Sequence, residues 1–354
     1  MLPNMTNNAT QVHHGIFQVP RNIQVGVTIL AVIIFILAMI GNTLVIYIVF
    51  TVNHMRSSTN TLIANMAFAD LLMTIDIPYI LKWLYVMNSW FGTFMGTVLC
   101  KFLHAVQVGS LAASVFSLVA ISLDRSLAIL FPMKKMMTRN AARFAIAMTW
   151  LGALALMLPL MITTKNIQLE GGDCMICDEY WPETMSQRVY ITVLFVTAYV
   201  IPLIIIALVY CLTGLRLCRR KLPGHQNSTT HKKIQDLSRR ATTMLITVAV
   251  IFTLSWLPLL ALEMIRIYNS TLFYKIPVKV RFVIPWFGYC NSAINPVLYV
   301  IFSGNYRREF YRILCRVTSK QSRSKAAVDG ECTSRQRRHR ASGETSNVEW
   351  DTHL

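Results

Sequence analysis

Asp124 and Arg125 stand side by side in SLVAISLDRSLAILFP, residues 117–132, a stretch otherwise dominated by apolar side chains. An acid can hold an adjacent guanidinium in one pose and release it when a better partner arrives. A solvated ion pair, or an arginine snorkelling at a lipid boundary, would look the same from the dipeptide alone. A second group centres on Asp70 in NTLIANMAFADLLMTIDIPY, with Asn42, Ser114 and Asn295 at comparable depth. A carboxylate among hydroxyl and amide oxygens suits a hard cation such as Na⁺. The same side chains would equally glue helices together by hydrogen bonds. Either use needs a scaffold that gathers distant stretches away from water.

That scaffold is a membrane bundle. Of 354 residues, 54% are hydrophobic and 14% charged, and the mean hydropathy is +0.47. A helix of about 20 mostly apolar residues crosses the hydrocarbon core. Seven blocks qualify, at 24–50, 59–86, 98–131, 141–163, 188–216, 238–268 and 277–302. The expected fold is an all-α membrane protein, a seven-transmembrane helix bundle over 24–302, preceded by an extracellular tail over 1–23. The tail lacks a long apolar core, so the first block is expected to act as its own insertion signal. The second and seventh blocks are the least uniform, because they carry Asp70, Asn291 and Asn295.

Charge sets the orientation. Short connections rich in Lys and Arg stay cytoplasmic. Lys134, Lys135, Arg139 and Arg143 fill one such connection, and Arg219, Arg220, Lys221, Lys232 and Lys233 fall in another. On the opposite side, residues 165–188 set Glu170, Asp173, Asp178, Glu179 and Glu183 against Lys165 and Arg188. The amino terminus is expected outside a plasma membrane and the carboxy terminus inside. The sequons at Asn4, Asn8 and Asn269 then lie outside, as candidate glycosylation sites. Much of the net charge of +18 faces the cytoplasm, where it suits anionic lipid or an intracellular protein; nucleic acid is not implied.

Cys100 opens the third block, and Cys174 and Cys177 lie in the outer connection, an oxidising compartment. One bridge from Cys100 to that loop is expected. Cys177, followed by DEYWP, is favoured, with Cys174 left open. Cys315 follows an amphipathic stretch just inside the membrane, a setting for palmitoylation. Pro78, Pro159, Pro202, Pro258, Pro285 and Pro296 interrupt blocks. Each removes a helix hydrogen bond and offers a bend. Trp256 stands two residues before Pro258.

Read in order, these stretches resemble those of rhodopsin-like (class A) G-protein-coupled receptors across residues 20–316. The motifs are GNTLV with Asn42, LIANMAFADLL with Asp70, SLDRSLAILFP, Trp150, Pro202, SWLP, and NSAINPVLY. SGNYRREFYRILC resembles the short amphipathic helix eight, expected over 303–316. Two positions depart from the family pattern: Ser126 replaces the usual Tyr and Ser255 the usual Cys. The resemblance implies no enzyme activity and no required cofactor. An agonist would shift an equilibrium towards an open inner face, and a Gα subunit would enter and release GDP. Asp124, Arg125, Met133, Trp256, Pro258, Asn295, Pro296 and Tyr299 would carry activation and coupling. Asp70, Ser114, Asn291, Ser292 and Asn295 match the family's allosteric Na⁺ pocket.

Gln107 stands where the family's amine receptors carry a carboxylate, and Tyr289 where an opsin carries its lysine. The loop CDEYWPETMSQRVY is similar to that of neuropeptide receptors. The expected ligand is a short extracellular peptide with at least one basic residue and an amidated end, contacting Gln107, Glu179, Glu263 and Tyr289. Residues 317–354 are polar and expected to be a disordered cytoplasmic tail. Ser342, Thr345 and Ser346 would be substrates of receptor kinases and so recruit arrestin. The terminal DTHL, ending at Leu354, fits a PDZ protein. Two alternatives compete: an orphan or constitutively active receptor, and a transporter or channel. Against the last stand the lack of inverted repeats and the reading of Asp70 as the single aspartate deep in the core.

Overall fold

The computed structural model describes residues 20–86, 89–131, 137–168, 175–182, 186–219 and 229–315. Inside lipid the backbone must satisfy its own hydrogen bonds, so apolar blocks become long helices. Span one is Arg21–Thr51, and span two is Ser58–Ile75 continued by Ile77–Val86. Span three is Phe94–Leu130 and span four Arg139–Thr163. Span five is Gln187–Phe195, a π turn at Val196–Val200, and Ile201–Arg219. Span six is Thr229–Tyr268 and span seven Val278–Phe302. Among the described residues six helices are long and apolar enough to cross a membrane. Span seven matches them with 25 residues, but Lys279, Arg281, Asn291 and Asn295 dilute its hydropathy.

Side chains fix where the helices begin. Ser57, Thr93 and Thr138 accept the backbone N–H groups of Asn60, Gly96 and Ala141 at 3.2, 3.0 and 3.2 Å. These caps satisfy donors that a helix start leaves open. Span six starts at Thr229, earlier than the apolar block at 238. Its first turns are polar, with Lys232, Lys233, Gln235 and Leu237 as the good helix formers among them, and hydropathy marks only the lipid-embedded part. Prolines explain the interruptions. Pro78 has no N–H, and the chain breaks at Asp76, whose carbonyl accepts from Tyr79 and Ile80 at 3.0 and 3.1 Å. The π turn ends at Val200, two residues before Pro202.

The polarity of the bundle is the reverse of a water-soluble protein. Asn42, Asp70, Ser114, Asn291, Ser292 and Asn295 are buried. Ile29, Phe50, Phe144, Leu158, Leu212 and Leu254 are exposed. Apolar groups at the perimeter and polar groups on the axis are the signature of a lipid solvent. Spans two, three and four meet through Ala69, Ala112, Ala113 and Ala153, with Phe116 and Trp150 packed against them. Small residues let helix backbones approach closely. Asn65 joins the same three spans, donating to Ser117 at 2.8 Å and accepting from Trp150 at 2.9 Å.

One end of the bundle carries a small antiparallel sheet in the order β1-β3-β2, where β1 is Ser89–Trp90, β2 Thr164–Gln168 and β3 Met175–Glu179. Asn166 pairs with Cys177 in its register. Residues 304–315 form a separate helical segment. Within it Arg312 Nη1 pairs with Glu309 at 2.8 Å, and burial pushes the Tyr306 hydroxyl above its ordinary pKa.

Candidate functional site

The polar groups form a column along the bundle axis. At mid-depth Asp70 gathers spans two, three and seven. Its Oδ1 accepts from Ser114 at 3.2 Å and Ser292 at 3.3 Å, and its Oδ2 from Asn295 at 2.9 Å. Asn42 brings in span one by donating to the Ser292 carbonyl at 2.9 Å. The side-chain carbonyl oxygens of Asn42, Asn291 and Asn295 are buried without a partner. A carboxylate with hydroxyls and unmet amide oxygens is a donor set for a hard monovalent cation. Asp70, Ser114, Ser292 and Asn295 are in direct contact; Asn291 is buried on span seven, one residue from Ser292, and is not bonded to Asp70.

Towards the end without the sheet, Asp124 Oδ2 accepts from Arg125 Nη2 at 3.1 Å and Nε at 3.2 Å. The Thr59 hydroxyl donates to the same oxygen. Asp124 is buried, whereas the Arg125 side chain is 35% exposed, so the cation is held but reachable. Arg125 lies 25 residues beyond Cys100 on one helix, about 37 Å away. Ser126 is buried with an unpartnered hydroxyl. On neighbouring spans Tyr210 and Ser122 share a hydrogen bond of 2.8 Å, and the Tyr299 hydroxyl points to Met66 Sδ at 3.7 Å.

Between these groups and the sheet lies Trp256, buried, two residues before Pro258. It stacks towards Phe252 with centroids 6.2 Å apart. Gly288 on span seven makes room for the indole: a Cβ there would lie 3.1 Å from the Trp256 ring.

At the sheet end a cavity of about 540 Å³ opens among spans two, three, six and seven. Tyr79, His104, Asp178, Glu263, Arg281 and Trp286 are among its walls. A disulfide between Cys100 and Cys177 ties β3 to span three. His104 Nδ1 lies 3.5 Å from Cys177 Sγ. Cys100, His104 and Cys177 converge closely enough to resemble a metal cluster, but both sulfurs are consumed by the bridge.

The four residues expected to touch ligand are placed differently from one another. Glu263 lines the cavity, but its Oε2 is bonded to Arg266 Nε at 2.7 Å, so its charge is already matched. Glu179 accepts from Trp181 and Gln187 at 2.8 and 3.1 Å. Gln107 and Tyr289 lie one helical turn beneath wall residues His104 and Trp286. There Gln107 Nε2 donates to the Tyr289 hydroxyl at 3.0 Å, and Tyr289 donates to Asp76 Oδ2 at 2.7 Å. Asp76 was not singled out from the sequence. Its burial corrects the expectation that Asp70 is the single deep aspartate. The signal was an acid two residues before Pro78 in an apolar run. Thr59 and Arg266 were also missed, because only folding reveals which charges they satisfy.

Asn269 is exposed and caps the short helix Ser270–Lys275, accepting from the Leu272 N–H at 3.0 Å. Cys315 is exposed at the end of 304–315. Met133, Asn4, Asn8, Cys174 and Leu354, and the tail expected over 317–354, lie outside the described residues.

A bundle with a cavity at one end, a held cation at the other and a buried polar column between them is the architecture of a membrane receptor. Residues 41–299 match the family described as 7 transmembrane receptor (rhodopsin family). The chain is 35% identical to the mouse (Mus musculus) neuropeptide FF receptor 2, over 78% of this chain and 70% of that protein. It is 31% identical to the RYamide receptor of Drosophila melanogaster, over 80% and 62%. It is 27% identical to the pyroglutamylated RF-amide peptide receptor of Rattus norvegicus, over 88% and 75%. The chain belongs to the rhodopsin family of seven-transmembrane receptors. It is a receptor and not an enzyme, and a multi-pass protein of the plasma membrane.

Proposed function

We propose that this receptor binds a short extracellular peptide, carrying a basic residue and an amidated end, and promotes GDP release from a heterotrimeric G protein. The observation that carries the reading is the cavity walled by Asp178 and Cys177 of β3, in a chain whose relatives include an RYamide receptor and an RF-amide peptide receptor. The amino terminus and sheet end face outside, and the basic connections and Arg125 face the cytoplasm. Ligand in the cavity presses on Trp286 and, through Tyr289 and Gly288, on Trp256. The bend at Pro258 lets the other end of span six swing out. Arg125 then leaves Asp124, and the Gα subunit takes its place against the opened face. Met133, Asn295, Pro296 and Tyr299 complete the coupling surface and its hinge.

Asp70, Ser114, Ser292 and Asn295, with Asn291 nearby, would hold a Na⁺ ion, whose charge would favour the closed state by tying three spans together. Residues 304–315 lie along the membrane as helix eight, anchored by a palmitoyl group on Cys315. The tail engages receptor kinases, arrestin and a PDZ protein, and Asn4, Asn8 and Asn269 carry glycans.

The test is a synthetic peptide panel, including sequences ending in Arg-Phe-amide and Arg-Tyr-amide, applied to expressing cells with a G-protein dissociation sensor. The expected result is saturable activation by amidated basic peptides. Activation by acidic peptides or lipids alone, or ion current without any G protein, would overturn it.

A further inference from the structure

Beneath the cavity lies a buried carboxylate whose hydrogen bonding is incomplete. Asp76 Oδ2 accepts from Tyr289 at 2.7 Å, but Oδ1 is buried without a partner. Leaving a charged oxygen unmet away from water is costly, and a donor supplied to it recovers that cost. Its position relates it to the cavity. Asp76, Gln107 and Tyr289 each lie three residues from a wall residue, Tyr79, His104 and Trp286. On each of the three spans the step runs away from the sheet end, so the trio lies one turn below the cavity walls. Asp76 and Tyr289 are fully buried, whereas Gln107 is half-buried and remains reachable. Of the two acids in the wall itself, Glu263 is matched by Arg266 and Asp178 accepts the Glu179 backbone N–H at 2.8 Å.

We propose that Asp76 is the residue by which this receptor selects a peptide with a carboxamide end over the same peptide with a free carboxylate. This rests on the peptide reading above. The terminal carboxamide enters between Tyr79, His104 and Trp286 and moves the Gln107 side chain aside. Its N–H then donates to Asp76 Oδ1, while Tyr289 keeps its bond to Oδ2. A free carboxylate would bring a second negative charge against a buried one and has no proton to donate. Discrimination therefore comes from repulsion as well as from the new bond.

The test compares tetrapeptides ending in Arg-Phe-amide and Arg-Tyr-amide with their free acids, on wild type and on Asp76→Asn, at matched surface density. Asparagine keeps the shape, still accepts from Tyr289 and removes the charge. Wild type is expected to favour the amide by about tenfold or more, and Asp76→Asn to bring the two potencies within about threefold, chiefly by gain for the acid. Asp76→Ala, read the same way, covers the case in which the asparagine variant does not reach the surface. An unchanged amide-to-acid ratio in a surface-expressed variant overturns the proposal and leaves the peptide reading standing. Silence of wild type towards every peptide overturns both.

Discussion

Gly41 of span one lies against Pro296 of span seven so closely that a Cβ on the glycine would fall 2.8 Å from the proline ring. The contact sets the approach of two spans that also share the Asn42–Ser292 bond of 2.9 Å. Gly41→Val should destabilise the solubilised receptor by about 1–3 kcal/mol, since packed interiors do not absorb added bulk. The melting temperature in detergent reads this. Gly26, where an added Cβ would meet nothing within 4 Å, is the control, and Gly26→Ala should not lower the midpoint and should raise it slightly through helix propensity.

Thr59 and Arg125 share Asp124 Oδ2. Removing either the acid or its second donor loosens the hold on the guanidinium. Asp124→Asn should raise ligand-free GDP release from purified heterotrimer several-fold, with a smaller rise for Thr59→Ala. Arg125→Ala should abolish the ligand-driven increment. If Asp124→Asn and Thr59→Ala both match wild type at equal surface density, the arginine is not restrained by this pair.

The cation expected at Asp70 has its own signature. Agonist affinity for wild type should fall as NaCl replaces choline chloride at constant ionic strength. Asp70→Asn should flatten that dependence by removing the only charge in the donor set described here. A wild-type affinity indifferent to Na⁺ would show that the polar column serves packing alone.

The Cys100–Cys177 bridge closes a loop of 77 residues and holds the middle strand of the sheet over the cavity. Cys177→Ser should cost about 2–5 kcal/mol of stability by the loop-closure argument. It should also weaken peptide binding beyond what reduced surface expression explains. Radioligand saturation on intact cells, normalised to an epitope tag, separates the two effects.

Much of this molecule was legible in its sequence because lipid imposes a coarse rule. Apolar blocks of sufficient length had to become helices, and a residue such as Asp70 within one had to face inward. Span seven shows the limit: its axis residues Asn291 and Asn295, with Lys279 and Arg281, lower the hydropathy on which such readings depend. The ligand end was less legible because composition does not say which charges are already matched. Glu263 reads as an open acid until Arg266 is found 2.7 Å away, and Asp76 reads as ordinary until its second oxygen is found alone. The start of span six shows the converse, with helix continuing into polar sequence that no membrane argument covers.

The π turn at Val196–Val200 has a rotational outcome. Tyr190 bonds the Leu156 carbonyl of span four at 3.0 Å, and Tyr210 bonds Ser122 of span three at 2.8 Å. Twenty residues of uninterrupted α-helix would aim these two phenols roughly 200° apart. The extra residue of the wide turn brings them to about 100°, so that one helix serves two adjoining neighbours. Regularising the turn to α-helix at unchanged length would spin one half of the span against the other, whereas removing one residue with it would keep the two phenols in phase. In the first case a mismatch of azimuth would follow, with either the tyrosine near the sheet or the one near Arg125 turned towards the hydrocarbon.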